Sequence, residues 1–163
     1  MKYRLEKITS LSGRMASVYT VVLTGDTTSM LDEFLEIYAT DYPEEVNNIL
    51  MRLHSIGHKV GARRQYFKEN EGRYDDMVCA LYDEPEKQLR LYCIRIGSDF
   101  IIIGGGGPKQ TRTWQEDTNL NFHVNAMMEV SEGLTERLRN HDVVWINAGM
   151  DLDGNLDFND ECE

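Results

Sequence analysis

The chain of 163 residues has only three cysteines, Cys79, Cys93 and Cys162, with neither a CxxC nor a paired zinc-ligand spacing. An odd, scattered set of thiols excludes a disulfide scaffold and predicts reduced cysteines in a cytoplasm. No apolar run approaches the length needed to span a bilayer; Phe100–Ile103 is a strand's worth. The N-terminal stretch MKYRLEKITSLSGRMAS breaks its apolar residues with charges, so export is not expected. Nucleotide-binding signatures are missing too. Four glycines at 104–107 precede Pro108-Lys109, but there is no Walker Gly-Lys-Ser/Thr and no GxGxxG opening a helix. The glycines are therefore expected to let a buried strand exit tightly and approach another backbone.

Metal motifs are equally thin. His54 and His58 lie four apart without an HExxH pattern, and His123 and His141 stand alone, so helix C-terminal capping is expected of the first pair and no metal or cofactor of the chain. The acids of DLDGNLD alternate as in a calcium loop, but Gly154 is misplaced and position twelve is Cys162, which favours a hairpin turn with solvated acids. Cys79 and Cys93 occupy apolar strand positions, where a thiol serves as a small hydrophobe.

What is present is a globular composition, 41% hydrophobic and 28% charged, with a net charge of −11. That total opposes general attraction to a polyanion. Its distribution does not: residues 52–112 hold eleven Lys and Arg against eight Asp and Glu, leaving six against twenty elsewhere. The last fourteen residues carry six acids and no base, the pattern of a solvated end.

Residues 3–23 read as two strand segments about Ser12-Gly13. A helix follows, with N-cap candidates at Asp26–Ser29 and a stripe of Met30, Leu31, Phe34, Leu35 and Tyr38. A second begins at Asp41 as N-cap, with Pro43 in the first turn, a stripe of Val46, Ile49, Leu50, Leu53 and Ile56, and Gly57 as its stop. The period then changes to two, predicting strands at Arg63–Phe67, Val78–Tyr82, Leu89–Ile96 and Asp99–Gly104 joined as an antiparallel meander. Helices are predicted at Asp117–Met128 and Ser131–Asn140, then a terminal hairpin with an Asp-Gly turn. The chain is expected to be one α+β domain, a helical hairpin packed on an antiparallel sheet.

The candidate chemistry lies in the cations Arg63, Arg64, Lys68, Arg73, Arg90, Arg95, Lys109 and Arg112, interleaved with Tyr66, Tyr92 and Trp114. Guanidinium groups grip phosphates and aromatic faces stack unpaired bases, so the set fits an RNA surface. It also fits ordinary salt bridges with the abundant acids.

The order strand, helical hairpin, meander, with FKENEG and VCALYDEPEKQLRLYCIRIGSDFIIIGGGGPKQTR, resembles the RelE/ParE superfamily, particularly HigB-like toxins of type II toxin-antitoxin systems. Phe67-Lys68, Leu89–Tyr92, Phe100–Ile103 and the basic loop 104–112 carry the resemblance, which covers about 18–117, with 118–163 as an extension. It implies a cytoplasmic, metal-free mRNA endonuclease (mRNA interferase) that acts at the ribosome and is neutralised by a helix-turn-helix antitoxin, with no membrane role. It implies Arg90, Lys109 and Tyr92 as catalytic residues and Lys68 and Arg112 as RNA-binding ones, and the cation set adds Arg63 and Arg64 to the RNA-binding residues. The sequence departs from the pattern in its acidity, in Pro108-Lys109 where a double lysine is usual, and in having no matching catalytic tyrosine or histidine after Asp117. The competing class is a non-catalytic interaction module on a toxin-like fold.

Overall fold

A computed structural model describes residues 1–68, 71–72, 77–81, 88–109 and 117–159. Its elements run in chain order as β1 (Tyr3–Lys7), β2 (Ser17–Leu23), α1 (Met30–Tyr38), α2 (Pro43–Ser55), β3 (Phe67–Lys68), β4 (Val78–Leu81), β5 (Leu89–Arg95), β6 (Phe100–Pro108), α3 (Thr118–Arg139), β7 (Val143–Ile146), β8 (Asp151–Gly154) and β9 (Asp157–Phe158). Seven strands form one sheet in the order β3-β4-β5-β6-β2-β1-β9, and β7 with β8 forms a separate two-stranded ribbon.

The fold is α+β and the sheet mostly antiparallel, with the expected meander from β3 to β6. One pairing departs from expectation: β2 and β6 run parallel, Ser17 opposite Phe100 through Thr20 opposite Ile103. The helical hairpin makes this possible, since parallel neighbours need a long crossover between them. Both strands are buried along nearly their whole length, as a strand covered on two faces must be.

Two covers account for that burial. On one face Val18, Leu81, Leu89, Leu91, Ile101 and Ile103 meet Leu31, Phe34, Ile49 and Leu53 of the hairpin. On the other, Tyr19, Val21, Tyr92, Ile94, Phe100 and Ile102 meet Leu120, Val124, Met127, Val130 and Leu134 of α3. The described part, 118–159, of what the sequence presents as an extension thus supplies one of the two hydrophobic layers, and β9 pairs with β1.

The helix ends show where local rules held. Ser29 caps α1, its hydroxyl accepting from Asp32 N at 3.0 Å. Asp41 does not cap α2; Tyr42 occupies that position without a side-chain bond, and Pro43 starts the first turn. Gly57 does not stop α2 either. The chain continues through a π-helical turn, Ile56–Val60, to Gly61, whose φ of +81° suits glycine. Gly57 is instead a contact point: a Cβ there would strike the Leu11 carbonyl oxygen, and its own carbonyl accepts from Met15 and Ala16.

Three further expectations are corrected. Arg64–Tyr66 is a 3₁₀ turn, so of the strand expected at Arg63–Phe67 only Phe67 pairs, in a two-residue strand that runs on to Lys68. The two helices expected after Asp117 are one, because Met127, Val130 and Leu134 continue a single apolar stripe across the expected break. The hairpin turn of β7–β8 is Asn147–Gly149 rather than Asp153-Gly154. Among the described residues no helix is long and apolar enough to cross a membrane.

Candidate functional site

The glycine run lies inside β6, and it is where three elements converge. Leu91 pairs with Gly106 and Cys93 with Ile103, so Gly104 and Gly105 together stand opposite Tyr92: a β-bulge. Side chains of α3 lie along the glycines at helical spacing, with Met127 over Gly104, His123 over Gly105 and Asn119 over Gly107. Gly106 faces the β5 backbone, where a Cβ would run into the Arg90 carbonyl oxygen. At Gly107 Tyr38 of α1 and Asn119 of α3 reach each other past the missing side chain, and Asn119 also donates to Gly106 O at 3.3 Å. The expected close backbone approach is present, but the strand passes through the glycines to Pro108 instead of ending there. All four glycines are buried.

Arg90 and Lys109 flank this bulge. Arg90 pairs with Gly107, its Nη1 donating to Leu89 O at 3.2 Å, and Lys109 N donates to Gln88 O at 2.8 Å. Arg90 in β5 and Lys109 one residue past β6 therefore lie at the same end of the sheet. Glu45 of α2 fixes that end by accepting from Gln88 N at 2.7 Å and Leu89 N at 3.1 Å.

Lys68 stands two strands away, in the row Lys68–Ala80–Tyr92. Two strand spacings are roughly 10 Å. Its ammonium lies 3.4 Å from Glu71, whose side chain is only 8% exposed. Tyr92 is 1% exposed and belongs to the core, so its ring offers no face for a base to stack on. Burial raises its hydroxyl pKa, Glu71 and Asp117 raise it further and Arg90 opposes them; the group stays protonated and can donate but not accept a proton.

Arg63 is elsewhere. Ala62 N donates to Ser98 O at 2.7 Å and Arg95 Nε to Ala62 O at 2.6 Å, which places Arg63 at the Arg95 end of β5. From Arg90 that is most of a seven-residue strand, roughly 17–20 Å. Arg64 follows in the 3₁₀ turn. Arg112, Arg73 and Trp114 lie outside the described residues. The structure thus brings Arg90 and Lys109 together, sets Lys68 on the same sheet beside its own carboxylate, and separates Arg63.

Sequence reasoning missed Glu71, Tyr38, Asn119 and His123. His123 Nδ1 is buried with no hydrogen-bond partner among the described residues, and burial lowers its pKa, so the imidazole is neutral near pH 7. The signal was available in part: Asn119, His123 and Met127 repeat every four residues, as a helix face against a side-chain-free strand requires.

The other candidates have structural roles. Asp151 accepts from Lys7 at 2.9 Å, Ser17 at 3.0 Å, Tyr19 at 3.3 Å and Asn147 at 2.8 Å, which ties β8 to the ends of β1 and β2. Burial alone would raise its pKa, but the bonds from Lys7, Asn147 and Ser17 outweigh it and leave the carboxyl below its usual range. His54 and His58 stack at 4.2 Å, with His58 Nε2 3.2 Å from Ser10 O, so His58 holds a loop rather than a helix end. Cys79 and Cys93 face each other across β4 and β5 as buried thiols, and burial pushes the Cys93 pKa up. Among the described residues no group of three His, Cys, Asp or Glu could hold a metal.

Comparison of the chain with protein-family models, curated proteins and solved structures gave no match.

Proposed function

We propose that the chain is a RelE/HigB-like toxin, a metal-free endoribonuclease of ribosome-bound messenger RNA held inactive by a helix-turn-helix antitoxin. The observation that carries the reading is the nearness of Arg90, in β5, and Lys109, just past the end of its neighbour β6, at one end of the sheet. The order strand, helical hairpin, meander supports it, since β2, α1–α2 and β3–β6 follow the order on which the resemblance rests.

Cleavage of this kind is attack of a ribose 2′-hydroxyl on the adjacent phosphorus. The P–O5′ bond breaks, leaving a 2′,3′-cyclic phosphate and a 5′-hydroxyl. Negative charge builds on the phosphoryl oxygens, and preformed cations aimed at it lower the barrier. Arg90 presents a planar donor fork to two of those oxygens, and the Lys109 ammonium gives the departing O5′ the proton that makes it a hydroxyl. Lys68 and Arg112 hold flanking phosphates. Tyr92 supports Arg90 from within the core rather than touching RNA, and Glu71 offers a carboxylate for the 2′-proton.

The test is messenger integrity in a translation extract. Added protein cuts the messenger, and Arg90→Ala with Lys109→Ala leaves it whole. Intact messenger with folded wild-type protein would refute the reading.

A second reading, an interaction module without catalysis, is favoured by the Lys68–Glu71 pair and the buried Tyr92 ring, which withdraw two of the expected RNA contacts. It predicts salt-sensitive capture of a basic protein and no cutting.

A further inference from the structure

Charge divides the helical hairpin and the chain that follows it into halves. Asp26–Glu45 holds seven acids and no Lys or Arg; Val46–Lys68 holds five Lys and Arg, two His and no acid. Within the basic half a cleft of about 290 Å³ opens between the outer face of α2 and the 3₁₀ turn. Ile56 and Val60 form its apolar part, Tyr66 supplies a half-buried ring, and Asn48, Arg52 and Ser55 supply polar groups. Met51 stands at its rim 63% exposed, an apolar side chain with little protein cover. Arg63 is exposed beside it, its Nε anchored on Val60 O at 3.1 Å.

We infer that this cleft holds one unpaired nucleotide of an RNA strand, with the base on Tyr66 and Met51, its phosphate on Arg52, and the next phosphate on Arg63 and Arg64. The volume is near the lower limit for ligand pockets, right for a single base. An aromatic face inside a positive stretch is the arrangement by which single strands are held without sequence readout. That the strand is RNA rests on the function proposed above. The cleft opens on the α2 side of the sheet, whereas Arg90 alternates with the Leu89 and Leu91 that face α2, so the cleft grips and does not cut.

A fluorescent eight-nucleotide uridine oligomer, titrated by anisotropy into the full chain, tests it. Tyr66→Ala weakens binding roughly tenfold while Tyr66→Phe keeps it, the difference expected of lost stacking. Arg63→Ala lowers the slope of log affinity against log salt by about 0.7, the contribution of one phosphate on a single strand. Arg139→Ala, which removes an equal charge from α3, binds as wild type. Binding that ignores both Tyr66→Ala and Arg52→Met overturns the inference, as does equal competition by a polyglutamate peptide. The two proposals separate cleanly. Tyr66-dependent binding by a protein that never cuts messenger keeps the cleft and removes the nuclease; cutting with Tyr66-independent binding does the reverse.

Discussion

Beneath α1 and α2 the sheet presents aliphatic side chains and two thiols, whereas beneath α3 it presents the hydroxyls of Tyr3, Tyr19 and Tyr92 and meets the imidazole of His123. Both faces are equally dry and both hold groups whose pKa burial raises, Cys93 and Tyr38 on the hairpin side and the tyrosines beneath α3, but only the α3 side adds a histidine whose pKa burial lowers. Below the pH at which a free thiol titrates, about 8.5, the hairpin face is a packing surface whose stability is indifferent to pH. The α3 face carries polar atoms at a cost in desolvation, and Arg90 and Lys109 sit at its end.

The comparison breaks first on large truncations. Phe100→Ala, which removes a ring packed on Tyr19 and Trp145, should cost about 3–5 kcal/mol. Leu91→Ala on the hairpin face should cost about 2–5 kcal/mol. Urea midpoints check both; a loss under 1 kcal/mol at either would mean that face is not core.

The next effect is confined to the α3 face. With its folded pKa lowered by burial, His123 takes up a proton more readily in the unfolded chain. Stability therefore falls as pH drops below about 6.5, with a slope of at most about 1.4 kcal/mol per pH unit from this group. His123→Gln should flatten the profile between pH 5 and 7, and Leu91→Ala should leave its shape unchanged.

Asp151 acts at lower pH. Its carboxyl is held below the usual range in the folded chain, so its contribution is complete above about pH 4 and disappears as pH falls through the folded value. Asp151→Asn should cost about 1 kcal/mol at pH 7 and make stability less sensitive to acid between pH 5 and 3. Thermal melts across that range decide it. The smallest effect belongs to Lys68. With its side chain 50% exposed, Lys68→Ala should change stability by less than about 1 kcal/mol.

Much of the fold was legible because its signals are local. The stripes of α1 and α2 and the alternation of β5, with Leu89, Leu91 and Cys93 on one face and Tyr92 and Ile94 on the other, follow from periodicity alone. Non-local features were hidden. The parallel pairing of β2 with β6 joins segments some eighty residues apart, and no short pattern records it. The glycines suggested close approach, but only coordinates show that α3, β5 and α1 all make it. Of the site, Arg90 and Lys109 were legible as cations in a strand and a loop. The burial of Tyr92 and the partner of Lys68 were not, because each is set by segments distant in space or by a turn that periodicity does not define.

The central claim is that Arg90 and Lys109 act together on a scissile phosphate. Its most direct test is the single-turnover rate of cutting a defined messenger on programmed ribosomes, with the 5′ fragment analysed for a 2′,3′-cyclic phosphate. The account predicts that product from the wild type and a fall of about a hundredfold or more with either Arg90→Ala or Lys109→Ala; undiminished cutting by the double variant would contradict it.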